Sequence, residues 1–361
     1  MFNDADTNYM RRALELSELG LYTTTRNPRV GCVLVRDGEV VGEGWHRGAG
    51  EPHAEALALG AARERARGAT AYVTLEPCAH HGRTPPCSEA LVAAGIARVV
   101  AAMEDPNPLV AGKGFDALRA AGIEVVHGLM AHEARELNIG FVSRMTRGRP
   151  WVRMKIAASL DGRTALLNGV SRWITGPEAR RDGHRWRARA CAILTGIGTV
   201  KDDDPQLTVR EVETPRQPVR VVVDSRLETP PSARVLGAGT LIATAAADSP
   251  AESALRSRGA EVLVLPNESG KVDLAALMRE LARREMNEIH VEAGFRLNGS
   301  LLRENLVDEL VVYLAPHILG DASRGMFDLP ELEDLAGRRE LNVTHMRSVG
   351  NDIRIIARVS N

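Results

Sequence analysis

Aromatic residues are scarce in this chain: Phe, Trp and Tyr make up 4% of its 361 positions. So few rings leave no long platform for stacking nucleic-acid bases. Cysteine is scarce too. There are four, too few for a disulfide framework. Neither sign of charge dominates, with 46 Lys and Arg against 47 Asp and Glu and a net charge of −1. That balance argues against a nucleic-acid protein relying on bulk positive charge, while allowing a local basic pocket for a phosphate. Long apolar runs are missing. The longest, residues 310–315, is far short of the ~18 needed to span a bilayer. The opening stretch MFNDADTNYM carries two acids and no apolar core, unlike a signal peptide. The expectation is a cytoplasmic protein with reduced thiols, in which clustered Cys and His serve metal binding or catalysis.

What is present is ordinary globular composition, 44% hydrophobic and 26% charged. At about 150 residues per domain the length suggests two domains. Apolar residues at helical spacing cover 8–20. Apolar stretches at 30–36 and 39–42 flank Asp37-Gly38, a two-residue hairpin signal. Helices at 54–67, 86–94 and 115–121 then alternate with strands at 71–75, 97–103 and 123–127. The pattern breaks at residues 146–150, where Gly, Pro and two Arg read as a linker. Domains of 1–147 and 148–361 follow. The second series has strands at 151–159, 192–194, 219–223, 240–243, 261–265, 288–292, 310–314 and 352–358. Its helices fall at 178–189 and 274–284. Both halves are therefore α/β in class. The basic run 180–189 reads as a solvated helix face apart from Arg187. Cys32, Cys191, Met103, Met154 and Met278 read as core.

One group of residues carries hydrolytic chemistry. His53-Ala-Glu55 precedes Pro77-Cys78 and Cys87. One His and two Cys can give zinc three ligands and leave a fourth position for water, as in catalytic rather than closed sites. Zinc brings the pKa of such a water toward neutrality. Glu55 can then act as general base and acid, taking a proton from water and delivering it to a leaving nitrogen. Both ligand segments read as loops that open helices, whose positive ends favour thiolates. The competing reading is a closed structural site, because His80 or His81 could supply a fourth ligand.

These residues resemble the zinc cytidine/deoxycytidylate deaminase superfamily, with its H-x-E…P-C-x-x-C signature. Here residues 79–86 separate the two cysteines, eight instead of two. The segment Thr74-Leu-Glu-Pro-Cys-Ala-His-His-Gly-Arg-Thr-Pro-Pro-Cys87, with Asn27-Pro-x-Val-Gly31 and Asp105-Pro-Asn-Pro108, is similar to the bacterial bifunctional riboflavin-biosynthesis pyrimidine deaminase/reductases. The resemblance implies a cytidine-deaminase-like three-layer α/β/α domain. It implies zinc-dependent deamination of 2,5-diamino-6-(5-phosphoribosylamino)pyrimidin-4(3H)-one to 5-amino-6-(5-phosphoribosylamino)uracil, releasing ammonia. It also implies that Asn27, His46 and His80 contact the pyrimidine or ribose, and Arg83 the phosphate, where charge-assisted bonds are strong. From the residues alone, Arg83 could be a loop charge, Asn27 a turn residue, and His46 and His80 structural.

The second half has no G-x-G-x-x-G; Gly196-Ile-Gly198 lacks the last glycine. The strand at 288–292 runs into Ala293-Gly294 and a helix through Leu301, a junction whose free N–H groups can hold phosphate. Asp202-Asp-Asp-Pro205 crowds three carboxylates, which capping, a solvated turn or function must offset. The same family resemblance continues through Lys155-x5-Asp161-Gly-Arg-Thr164, Ser171-x-Trp-Ile-Thr175, Gly196-x-x-Thr-Val-x-x-Asp-Asp-Pro-x-Leu-Thr-x-Arg210, Val223-Asp-Ser225 and Val291-Glu-Ala-Gly294. It implies a dihydrofolate-reductase-like domain that uses NADPH to reduce the ribosyl side chain to ribityl, with hydride delivered to C1′ of the opened ribosylamine. By position, Ala157, Trp173, Thr199, Asp203, Ser225, Gly294, Phe295, Arg296, Leu297, Asn298, Gly299 and Ser300 would line the NADPH site. Ser171, Arg187, Leu207, Arg210 and Glu292 would hold the substrate. Lys155 and Asp203 are candidates for polarising or protonating the sugar. Glu292 could instead cap a helix, and Trp173 could be core. The resemblance further implies a homo-oligomer, a dimer or tetramer, without nucleic-acid or membrane partners. A zinc deaminase with an inactive or scaffolding C-terminal domain is the alternative; intact motifs in both halves argue against it.

Overall fold

The computed structural model describes residues 2–79, 85–246 and 250–360 and divides into two compact units, Met1–Gly148 and Arg149–Asn361. In the first, α1 (Asp4–Glu18) precedes the hairpin β1 (Gly31–Arg36) and β2 (Glu39–Trp45). Then come α2 (Ala54–Ala62), β3 (Thr70–Val73), α3 (Cys87–Ala93), β4 (Arg98–Ala101), α4 (Lys113–Ala120), β5 (Glu124–His127), α5 (Ala131–Leu137) and α6 (Ile139–Arg147). The five strands lie in the order β2-β1-β3-β4-β5. β1 is antiparallel to both β2 and β3, while β3, β4 and β5 are parallel.

Successive strand residues point to opposite sides. Cys32, Leu34, Ala71, Val73 and Val99 accordingly pack against Ala58 of α2, Leu91 of α3 and Leu118 of α4. Val33, Val35, Tyr72 and Val100 pack against Met10 of α1, Ala134 of α5 and Phe141 of α6. Both faces of the sheet are covered, which gives three layers. The helices α5 and α6 are not among those expected from the sequence, although α6 is amphipathic with Ile139, Phe141 and Val142 buried, and the expected linker at 146–150 is largely a helix end. α6 runs to Arg147 and stops because Gly148 takes the left-handed cap conformation, φ 66°.

The second unit begins with β6 (Trp151–Ser159), α7 (Pro177–Arg189), β7 (Ala192–Gly196), α8 (Ile197–Asp203), β8 (Val219–Val223) and β9 (Thr240–Thr244). It continues with α9 (Pro250–Ser257), β10 (Ala260–Val264), α10 (Leu274–Arg283), β11 (Glu288–Val291), α11 (Phe295–Arg303) and β12 (Glu309–Ala315). β13 (Leu341–Val349) and β14 (Asp352–Val359) close the unit. The nine-stranded order is β10-β9-β8-β7-β11-β6-β12-β14-β13, antiparallel only around β14. One face packs Met154, Leu194, Val221 and Ile289 against Leu277 of α10 and Leu301 of α11.

Under α7 the other face is polar. Arg153 pairs with Glu288 at 2.9 Å and Glu309 at 2.7 Å, and Arg189 reaches Glu288 at 2.7 Å. The Tyr313 hydroxyl donates to Asp182 at 2.7 Å, beside Arg354 at 2.8 Å. Buried charges persist only when paired and hydrogen-bonded in this way. The basic run 180–189 is thus no plain solvated face: Asp182, Gly183, His184 and Ala188 are buried. β13 shows no alternation of burial because it is the sheet edge, exposed from Leu341 to Ser348, which is why periodicity missed it.

One close approach seats α2. A Cβ at Gly44 would lie 2.3 Å from the Ala54 carbonyl oxygen and 2.7 Å from Leu57 Cβ. Only glycine lets the first turn of α2 sit this low on β2. Gly44→Ala should destabilise the protein by about 1–3 kcal/mol through overpacking, read by urea denaturation.

Candidate active sites

In the first unit the parallel arrangement of β2, β3 and β4 brings their carboxyl ends to one edge. β1 begins at that edge because it runs the other way. His53 stands at the N-cap of α2, and Cys87 opens α3. His53 Nδ1 lies 3.3 Å from Cys87 Sγ and 3.6 Å from Cys78 Sγ. The three donor atoms lie within 4.8 Å of one another. Tetrahedral zinc, with bonds of about 2.0–2.1 Å to nitrogen and 2.3 Å to sulfur, sets such donors about 3.6 Å apart. The donor set therefore fits zinc in kind and spacing.

Electrostatics agree. The Cys87 thiol and His53 hold Cys78 well below the ordinary thiol range, and the Cys87 backbone N–H donates to Cys78 Sγ at 3.3 Å. Cys78 and burial drive the Cys87 thiol up. Glu55, in the first turn of α2, is 4% exposed, and burial pushes its carboxyl up to about 7. A carboxyl poised there can both take and give a proton near neutral pH.

Asn27 and His46 meet beside this centre. Asn27 Nδ2 donates to His46 Nε2 at 2.9 Å, and His46 Nδ1 donates to the Pro52 carbonyl at 3.2 Å. Both bonds are satisfied by one neutral tautomer, and burial lowers the pKa of His46 accordingly. The His46 and His53 rings meet edge to face at 5.4 Å. His80 and Arg83, and His81 with them, lie outside the described residues.

Sequence reasoning missed Glu76. Its buried carboxylate accepts four backbone N–H groups, from Asp105 and Gly112 at 3.0 Å, Gly114 at 2.8 Å and Phe115 at 3.4 Å. It thereby ties the segment ending in Cys78 to the loop after β4 and to the start of α4. The residue was visible in Thr74-Leu-Glu-Pro-Cys78; its four partners, distant in sequence, were not.

The second unit holds a cleft of about 730 Å³. Lys155, Ala157, Ser171, Trp173, Arg187, Thr199, Asp203, Leu207, Arg210, Glu292, Gly294, Phe295 and Asn298 all line it. Of the 294–300 run, Arg296, Leu297, Gly299 and Ser300 are not among the lining residues. α11 presents 294, 295 and 298 on one side and turns the others away. A Cβ at Gly299 would lie 2.1 Å from the Asp328 carbonyl oxygen. Ser225 also lies off the cleft wall, where its Oγ accepts the Val272 N–H at 3.1 Å.

Several alternative readings end here. Trp173 is 68% exposed and so is not core; Arg180 covers its ring at 4.5 Å. Glu292 is no helix cap, because Gly294 holds that position. Instead it takes Arg187 Nη2 at 2.8 Å and faces His290 Nε2 at 3.3 Å. Arg187 is thus already committed to a carboxylate. Asp202 and Asp203 close α8 rather than cap its start, and they face Arg324 at 3.7 Å and Arg172 at 3.3 Å. Arg210 meets only Gln206 and Thr208, so among the described residues its guanidinium has no carboxylate partner. Burial lowers the pKa of Lys155, with Glu292 opposing. For a dinucleotide, the fitting features are the cleft's size and the start of α11, where no side chain caps the helix and a Cβ added at Gly294 would lie 3.8 Å from Thr199 Oγ1.

Comparison with known proteins matches residues 3–103 to the cytidine and deoxycytidylate deaminase zinc-binding region and residues 150–355 to the RibD C-terminal domain. The riboflavin biosynthesis protein RibD of Escherichia coli (strain K12) is 51% identical over 360 residues, covering 96% of this chain and 98% of that one. A solved structure of Acinetobacter baumannii RibD superposes with a TM-score of 0.92 at 43% identity, covering 99% of each chain. The Thermotoga maritima diaminohydroxyphosphoribosylaminopyrimidine deaminase/5-amino-6-(5-phosphoribosylamino)uracil reductase gives 0.88 at 32% identity, also over 99% of each.

Glu76→Gln leaves one oxygen where four N–H groups converge. Losing hydrogen bonds to a buried charge should cost about 1.5–3 kcal/mol, read by urea denaturation. It should also speed zinc loss to a chelator, because the change lies two residues from Cys78.

Proposed function

The chain belongs to the RibD family, the bifunctional deaminase/reductases of riboflavin biosynthesis, and we propose how its side chains divide that work. The convergence of the His53, Cys78 and Cys87 donors beside buried Glu55 is the observation that carries the reading. Zinc, when held by those three residues, supplies the Lewis acidity that makes water nucleophilic near neutral pH. The Glu55 carboxyl takes a proton from the attacking water and passes it to the leaving 2-amino nitrogen. Asn27 and His46 orient the pyrimidine, exchanging their mutual hydrogen bond for bonds to it. The family reading adds His80 on the pyrimidine or ribose and Arg83 on the phosphate.

In the reductase unit NADPH, when bound, supplies the hydride that converts the ribosyl side chain to ribityl. Ala157, Trp173, Thr199, Asp203 and the junction at Gly294, Phe295 and Asn298 form its side of the cleft. Ser171, Leu207, Arg187, Glu292 and Arg210 form the substrate's side. Arg210 is the cation for the substrate phosphate, because Arg187 is neutralised by Glu292. Lys155 is the better proton donor to the opened ribosylamine. Its ammonium is more readily deprotonated than an exposed one, while Asp203 is engaged by Arg172. Two active sites are favoured over a scaffolding C-terminal domain, since that half matches the reductase domain over 150–355.

No helix among the described residues is long and apolar enough to cross a membrane. The cytoplasm, which keeps Cys78 and Cys87 reduced, is the compartment proposed. A homo-oligomer is supported by β13, an edge strand with Leu341, Val343 and Met346 about half or more exposed; such edges are ordinarily covered or blunted.

Purified protein given the diaminopyrimidinone ribosyl phosphate should release ammonia without NADPH and then oxidise NADPH at the expense of that product. Zinc without either activity in folded protein would overturn the reading. Glu55→Gln should cut ammonia release by about 10²–10⁴-fold while metal analysis still finds zinc. Light scattering should return a mass above that of one chain, and a charged residue at Val343 should lower it.

A further inference from the structure

His184 stands where the family reading gives no residue a task. It lies within α7, is 7% exposed and lines the reductase cleft. Its Nδ1 accepts the backbone N–H of Arg210 at 3.2 Å. A neutral imidazole that accepts at Nδ1 carries its hydrogen on Nε2. Nε2 is not among the enclosed atoms lacking a partner, and no described residue bonds it, so it opens to the cleft that His184 lines. Burial, with Arg187 and Arg210 nearby, holds the ring's pKa at about 4. The orientation and the neutral form are therefore set before any ligand arrives.

The surrounding charge says what this donor is for. Arg187 is spent on Glu292 and on the Thr208 carbonyl at 3.0 Å. Arg210, whose backbone holds His184 in place, keeps a guanidinium without a carboxylate partner. A guanidinium fork serves two oxygens of a phosphate and leaves the third in need of another donor. A further cation would crowd a wall that already carries Arg180 and Arg181. A neutral N–H adds direction without adding charge.

We infer that His184, through its Nε2–H and beside the Arg210 guanidinium, holds the phosphate of the substrate in the reductase cleft. The inference rests on the reductase reading of that cleft. The bond from Arg210 to Nδ1 couples the two donors, so that the pair is placed as one unit.

The test separates the two ring nitrogens. His184→Asn keeps an acceptor near the Nδ1 position and loses the reach of Nε2. His184→Gln keeps the reach. Calorimetric titration with ribose 5-phosphate should show about 10-fold or more weakening in His184→Asn and within about 3-fold of wild type in His184→Gln, with ribose alone unaffected. Steady-state kinetics should place the loss in KM for the uracil ribosyl phosphate rather than in kcat or in KM for NADPH. In wild-type protein the His184 Nε2 ¹⁵N resonance should move on adding ribose 5-phosphate. Unchanged ribose 5-phosphate affinity in His184→Asn, a static Nε2 resonance, or a rise in KM for NADPH instead would each overturn the assignment. Wild-type protein that binds ribose 5-phosphate through His184 yet oxidises no NADPH would instead defeat the reductase reading.

Discussion

A parallel strand ends where its neighbours end, and that constraint organises both units. In the first, β2, β3 and β4 deliver His53, Cys78 and the Glu76-bound loop to a single edge. In the second, β6, β7 and β11 deliver Lys155, Thr199 and Glu292 to another. Open α/β sheets place ligands at the carboxyl ends of their strands because the loops and helix starts gather there. Neither site needs a special framework beyond that shared polarity.

Holding charge at such an edge is the harder task. The protein does so by pairing nearly every buried charge within its own site. Glu76 is satisfied wholly by backbone N–H groups, and Glu292 by two bonds from the Arg187 guanidinium. Arg153 is shared between Glu288 and Glu309. Among the described residues, the buried carboxyl of Glu55 and the ammonium of Lys155 have no ion-pair partner, and the exposed guanidinium of Arg210 meets no carboxylate. Those are groups that a reaction or a phosphate can use.

Much of this was legible in the sequence. His53-x-Glu55, Pro77-Cys78 and Cys87 announce their chemistry through residue type, and the Asp37-Gly38 hairpin through turn chemistry. What escaped depends on contacts distant in sequence. The four partners of Glu76 lie 29 to 39 residues away. His184 was hidden inside a basic helix whose buried side faces charged strands, so hydrophobic periodicity carried no signal there. Arg187 looks like a phosphate ligand in one dimension; only the fold sets it against Glu292, 105 residues on. The edge strand β13 has no buried side at all, and alternation could not reveal it.

The hydrogen bond between Asn27 and His46 bears on selectivity. A donor and acceptor that satisfy each other give nothing to a molecule that merely fills space. An incoming ring has to offer an acceptor to the amide and a donor to the imidazole before breaking that pair becomes worthwhile, since a buried group left without its partner costs about 1–3 kcal/mol. Apolar rings of the same outline are thereby turned away without any steric barrier. On the proposed reading, in which Asn27 and His46 hold the pyrimidine, discrimination in the deaminase unit draws on hydrogen-bond exchange as well as on shape.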